Sequence, residues 1–231
     1  TTSPVPPAPT GFGRLLLTNS DALYTMNPTG WDIRKLPQAE SIPNLLYQHA
    51  RWSPDGSRIS FQSGTDIYVM DADGTNVRKL PKPDESYLFE GPATWSADGQ
   101  KLAFAYSYTV SGVTHRSILV VSGFDTGSQS SFNLTGTASP HEYWPEWNPQ
   151  NDQILFWVND DLPRLVTKGG DSPVSPELIV ASSPETAVYP KGPYYQRGVW
   201  NATGDRIIFT RSESATAGTR EELLMVNADG S

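Results

Sequence analysis

The chain has no cysteine among its 231 residues, which excludes disulfides, thiolate metal sites and cysteine nucleophiles at the outset. Histidine is almost as scarce. His49, His115 and His141 are the only three, none stands in a recognisable triad context, and no GlyXaaSerXaaGly elbow offers a serine nucleophile. No apolar run approaches the ~18 residues of a membrane-crossing helix. Positive charge is in deficit: 17 Lys and Arg face 25 Asp and Glu, and the net charge of −8 repels polyanions, so nucleic acid is not an expected partner.

Turn formers and large aromatics are plentiful, with 19 Gly, 20 Pro, 7 Trp and 10 Tyr, a composition that suits many short strands rather than helices. Four tryptophans head a repeated unit. Each is followed by a tight polar turn and then a three-residue apolar run beginning seven residues later, at Trp52/Ile59, Trp95/Leu102, Trp147/Ile154 and Trp200/Ile207. Counting Trp as first, the fifth slot holds Gly56, Gly99, Asn151 and Gly204, residue types that tolerate positive φ, and is expected to be the left-handed position of a hairpin turn. The runs IleSerPhe, LeuAlaPhe, IleLeuPhe and IleIlePhe then read as strands.

A third strand is expected at 67–70, 118–121, 178–180 and 223–226. Turns through 27–30, 71–74 and 227–230 carry Asx and Gly chemistry, and a weaker fourth strand follows at 32–37 and 76–81. Four antiparallel strands per repeat define the blade of an all-β propeller. The tryptophans are 43, 52 and 53 residues apart, against about 40–45 for a WD-type blade, so the later repeats carry insertions. The predicted blades are 13–37, 50–81, 93–135, 145–190 and 198–231, the first lacking its opening strand and the last its fourth. Ring closure then calls for chain beyond Ser231, giving six blades, with a five-bladed closure as the alternative.

TrpSerProAspGly, IleSerPhe and AspIleTyrValMetAspAlaAspGlyThrAsn, taken together over 50–81, resemble the TolB-type, WD-like propeller repeat. The resemblance extends over roughly Gly13 to Ser231 and thins in the fourth repeat, where AspGly becomes GlnAsn. It implies a β-propeller. It leaves function open among envelope scaffolds, lipoproteins, multidomain sensors and the gating domains of peptidases.

Residues 1–12 begin as a Pro, Ser and Thr tract that forms no packed element. It reads either as a tether between a membrane anchor, such as a lipidated residue upstream of Thr1, and the propeller, or as an ordinary terminus or linker. The first alternative, with the bacterial look of the repeat, places the protein outside the cytoplasm, in the periplasm or at the cell surface.

In such a blade the second-to-third turns and the blade-to-blade connections share one face, and here they hold most of the elaboration, at 106–117, 158–177 and 210–222. The connections entering each Trp strand rim the channel. They supply the candidate binding residues Tyr47, His49, Tyr87, Phe89, Glu90, His141, Glu142, Tyr143, Trp144, Tyr194, Tyr195 and Arg197, aromatics and charges of the type found in protein-binding hot spots. His49, Glu90, His141 and Gln196 are the candidate metal ligands should the ring bring them together, an arrangement resembling that of some polysaccharide lyases on a related propeller. The turn at 71–76 lacks the twelfth-position Glu of an EF-hand and reads as a reversal.

The reading that follows is a non-catalytic propeller without a cofactor, holding protein partners in a membrane-associated assembly. A metal-dependent polysaccharide lyase or hydrolase using the channel, or the gate of a serine peptidase, are the alternatives.

Overall fold

Side-chain and backbone bonds together close the Trp-led turns, as where the Ser53 N–H donates to the Arg58 carbonyl and the Gly56 N–H to the Ser53 carbonyl. The computed structural model describes residues 13–19, 22–37, 45–124, 128–135, 141–159, 164–171, 177–182, 194–195, 198–215 and 218–231. In the first such turn the Ser53 hydroxyl donates to Asp55 Oδ1 at 2.6 Å and accepts the Arg58 N–H at 2.9 Å, while Asp55 Oδ1 also takes the Ser57 N–H. Ser96 and Asp98 repeat these bonds with Lys101 and Gln100. In the fourth copy Asn201 Oδ1 accepts the N–H groups of Asp205 and Arg206. Gly56, Gly99 and Gly204 lie at φ between +68° and +69°, as expected of the fifth slot. Asn151 does not share that conformation. There the third copy is closed by Asx bonds, from Gln150 N–H to Asn148 Oδ1 and from Gln153 N–H to Asn151 Oδ1, so the left-handed expectation for Asn151 is corrected.

The described residues form five antiparallel sheets, four of them carrying a Trp-led turn, with no helix among them. The first holds β1 (Leu15–Asn19), β2 (Ala22–Met26) and β3 (Arg34–Lys35). The second holds β4 (Gln48–Trp52), β5 (Arg58–Ser63), β6 (Asp66–Asp71) and β7 (Arg78–Lys79). The third is β8 (Leu88–Trp95), β9 (Lys101–Val110), β10 (Val113–Ser122) and β11 (Ser130–Asn133). The fourth is β12 (His141–Trp147), β13 (Gln153–Asn159), β14 (Arg164–Gly169) and β15 (Glu177–Ser182). In the fifth, β16 (Tyr194–Tyr195) and β17 (Val199–Trp200) lie end to end along β18 (Arg206–Ala215), which pairs with β19 (Gly218–Asn227).

Two sequence expectations change here. The segment at 178–180 belongs to the fourth strand of its sheet, and the third is β14, whose ArgLeuValThrLysGly carries too few apolar residues to be seen as a strand. Its Leu165, Val166, Thr167 and Lys168 are nevertheless all buried. The elaborations at 106–117 and 210–222 continue the strands: β9 and β10 pair over ten residues to Val110 and Val113, and β18 and β19 likewise pair out to Ala215 and Gly218.

The chain packs as two compact units, Thr1–Lys82 with Gly91–Ala93, and Pro83–Glu90 with Thr94–Ser231. In the first, Phe61 of β5 stacks on Tyr68 of β6 at 5.4 Å and meets Tyr47 at 4.8 Å, in a cluster with Leu23 and Ile59. In the second, strand alternation sends Ile154 and Phe156 to one side, where with Trp147 they cover Ala103, Ile118 and Val120. It sends Leu155 and Trp157 to the other, under Ile207 and Phe209. Each such fully buried side chain contributes about 1.5–3 kcal/mol.

Polar bonds fix the same stacking. The Trp147 N–H donates to Thr94 Oγ1 at 3.0 Å and Trp200 Nε1 to the Glu146 carbonyl at 3.1 Å. The Lys101 ammonium pairs with Asp152 at 3.1 Å and lies 5.7 Å from the Trp147 ring centre.

Candidate functional site

The first strands of the second, third and fourth sheets are all irregular at one place. Register breaks between Gln48 and Arg51 in β4, between Glu90 and Thr94 in β8, and between Tyr143 and Glu146 in β12. A positive-φ residue sits in each break: His49 (+54°), Gly91 (+72°) and Trp144 (+50°). Such bulges re-aim side chains and recur beside binding sites. For Trp the left-handed conformation costs on the order of 1–3 kcal/mol, a strain that persists only where the surroundings impose it.

In the second unit the re-aimed residues form a cluster. Arg116 of β10 donates from Nε to Glu90 Oε2 at 2.8 Å, and its guanidinium carbon lies 5.4 Å from the centre of the Tyr143 ring. Tyr143 in turn meets Trp144 at 5.7 Å. The Glu90 carboxylate holds the Arg116 guanidinium above its ordinary pKa, against the opposing effect of burial, with Tyr143 adding to the rise. Glu90, Arg116 and Tyr143 are half-buried and Trp144 is 40 % exposed, so the cluster offers an aromatic and a cation to solvent on a fixed base.

Other candidates separate cleanly. Tyr47, Phe89 and Glu142 are buried at 3 %, 1 % and 2 % exposure. Glu142 accepts the Ile118 N–H at 3.1 Å and the Thr135 hydroxyl at 3.0 Å and so fastens β12 to β10. Tyr87 stacks on Tyr106 at 4.7 Å, and His49 is exposed. His141 lies in β12 and Tyr194 and Tyr195 form β16, whereas Gln196 and Arg197 fall outside the described residues, as do residues 1–12.

Of the four candidate metal ligands, Glu90 has its carboxylate bonded to Arg116. Among the described residues no group of three or more His, Asp or Glu side chains is placed to hold an ion. No helix among them is long and apolar enough to cross a membrane.

Sequence reading missed Arg116 because it treated 106–117 as a loop. The SerGly dipeptide at 111–112 was the available signal: a two-residue turn fixes the register and puts Arg116 opposite Ser107. The bulges of β8 and β12 are signalled by Pro92 and Pro145, prolines inside strands that each precede a repeat tryptophan, whereas that of β4 has no such mark.

Comparison with known proteins assigns the class. No family model and no curated protein matches the sequence. Solved structures do match: a TolB protein of Agrobacterium tumefaciens (TM-score 0.60, 16% identity, 94% of this chain and 74% of that one), an oligogalacturonate lyase in complex with manganese (0.63, 11%, 91% and 62%) and TolB of Acinetobacter baumannii (0.62, 13%, 93% and 49%). The chain therefore spans from about half to three quarters of the length of these three structures. Its fold is a β-propeller. That fold is shared with the two TolB structures and with the lyase alike, and identities this low establish fold alone.

Proposed function

We propose that this protein is a non-catalytic propeller that holds a protein partner through the Glu90–Arg116–Tyr143–Trp144 cluster, outside the cytoplasm and within a membrane-associated assembly. The observation that carries the reading is Trp144, a large aromatic kept in a left-handed backbone and left 40 % exposed beside Tyr143. Trp, Tyr and Arg are the residues that dominate protein-binding energy, and strain kept at an exposed position fits binding better than stability. The Pro, Ser and Thr tract of residues 1–12 supports the extracytoplasmic placing by its composition.

A lyase is the second reading, favoured by likeness to the manganese-bound oligogalacturonate lyase. The Arg116 bond to Glu90 weighs against it, because a carboxylate engaged by a guanidinium is a poorer ligand.

The test uses an envelope extract of the source organism. Stoichiometric retention of one protein by the wild type, with loss on Trp144→Ala, supports the proposal. Retention undiminished by that change, or manganese-dependent release of unsaturated products from oligogalacturonate, overturns it.

A further inference from the structure

The β9–β10 hairpin carries a second surface, on the opposite side of its ribbon from Arg116. Ten residues on each strand pair without interruption and are closed by Ser111 (φ +52°) and Gly112 (φ +81°), both left-handed as a two-residue hairpin turn requires. Alternation puts Tyr106, Tyr108 and Val110 on one side with their partners Ser117, His115 and Val113. Rings then stack in series: Tyr87 on Tyr106 at 4.7 Å, Tyr106 on Tyr108 at 5.5 Å and Tyr108 on His115 at 5.4 Å. Tyr106 is the buried foot of this ladder, its hydroxyl oxygen accepting from Asn133 Nδ2 at 3.2 Å. Tyr87, Tyr108 and His115 are half-exposed, and the ladder runs out to Val110 and Val113, at 53 % and 56 % exposure.

Chemistry narrows what fits. The rings turn their faces to one another, so a sugar, which stacks on an open face, finds edges and hydroxyls. Edges, hydroxyls and two exposed valines on a stiff ribbon suit apolar side chains of a protein, since Tyr supplies contact area at little entropic cost. At the base of the ladder Asp84 and Glu85 are exposed, and the Tyr87 N–H donates to the Asp84 carbonyl at 3.0 Å, which holds this acidic margin beside the stripe. A net charge of −8 over the chain adds to the preference for a cationic partner.

We propose that this stripe docks an extended segment of a partner protein that lays apolar side chains on Val110, Val113 and Tyr108 and sets a Lys or Arg against Asp84 and Glu85. The inference rests on the protein-binding reading above and uses a different surface from the Trp144 cluster.

The probe is a phage-displayed library of random twelve-residue peptides panned on the immobilised 231-residue chain. The expected result is an enriched family with paired apolar residues beside Lys or Arg, binding about tenfold more weakly to the Val110→Ser/Val113→Ser variant and at wild-type strength to Trp144→Ala. Both valines are exposed, so that variant is expected to keep the wild-type urea transition. Should it fail to fold, Asp84→Asn/Glu85→Gln on the exposed turn is expected to weaken binding about fivefold. Failure of any family to enrich, or binders indifferent to the valine and acidic variants, overturns the inference. Binders lost on Trp144→Ala instead overturn it while leaving the protein-binding function standing. Oligogalacturonate shifting the His115 ring resonances overturns both.

Discussion

Asn148 donates from Nδ2 to the carbonyl oxygen of Gly204 at 2.8 Å, joining the Trp-led turn of the fourth sheet to that of the fifth. Asn148 is fully buried, and its Oδ1 also accepts the Gln150 N–H. A side chain added at Gly204 would meet Asn148 Oδ1 and would have to adopt φ +69°. Asn148→Ala is therefore expected to cost about 1–3 kcal/mol, because it leaves the carbonyl of the buried Gly204 unsatisfied. Gly204→Ala is expected to cost about 2 kcal/mol or more in the wild type, but only about 1 kcal/mol in the Asn148→Ala background, where the left-handed backbone is the sole remaining penalty. Urea unfolding of the four proteins checks this, and strict additivity would refute the contact.

The Ser and Asp bonds of the first two Trp-led turns predict acid sensitivity. Burial works to raise the Asp55 carboxyl, but the hydroxyls of Ser53 and Ser57, the Ser57 N–H and the Arg58 charge outweigh it and bring it down to about 2. Asp98 is lowered chiefly by the Ser96 hydroxyl, against burial. A carboxyl depressed in the folded state stabilises above its ordinary value of 3.8, and that contribution is lost as pH falls through the folded value. The urea midpoint should accordingly drop between about pH 4 and pH 2, and more gently in Asp55→Asn. Matching slopes for the two proteins would remove Asp55 from the account.

His49 reverses a familiar order of substitution. Within an ordinary strand Ala is more stable than Gly by about 0.5–1 kcal/mol. His49 is exposed at φ +54°, so its side chain has little burial to lose and its backbone is the deciding factor. His49→Gly should be more stable than His49→Ala by about 1 kcal/mol. If Ala proves the more stable of the two in urea, the bulge is not held in the left-handed region in solution.

What the sequence discloses follows how local each interaction is. Trp52, Ser53, Asp55 and Gly56 close their turn within a few residues, so the Trp-to-apolar spacing announces both the hairpin and its first two strands. β14 escaped notice because the burial of Thr167 and Lys168 is imposed by neighbouring strands rather than by their own character. The candidate site divides on the same principle. Composition picked out Tyr143 and Trp144, which stand at a bulge, together with Tyr47 and Phe89, which serve the interior, since aromatic type alone does not reveal the direction of a side chain. Arg116 required the hairpin register, a relation between strands that begins at Ser111.

The strand β19 shows what its repeat ordinarily covers. Ile118 and Val120 of β10, opposite Ala105 and Ala103, are exposed at 0 % and 1 % under the Trp147 cluster. Leu223 and Met225 hold the same register in β19, opposite Thr210 and Ile208, yet are exposed at 73 % and 56 %. An apolar row on a ten-residue strand is a template for association. The 231-residue chain should therefore self-associate with rising concentration in sedimentation, and Leu223→Lys/Met225→Lys should restore the monomer. Since neither side chain has much contact to lose, the double change should shift stability by no more than about 0.5 kcal/mol. Association that survives the two lysines would locate the self-contact elsewhere, and a large destabilisation would mean that this face is already covered in solution.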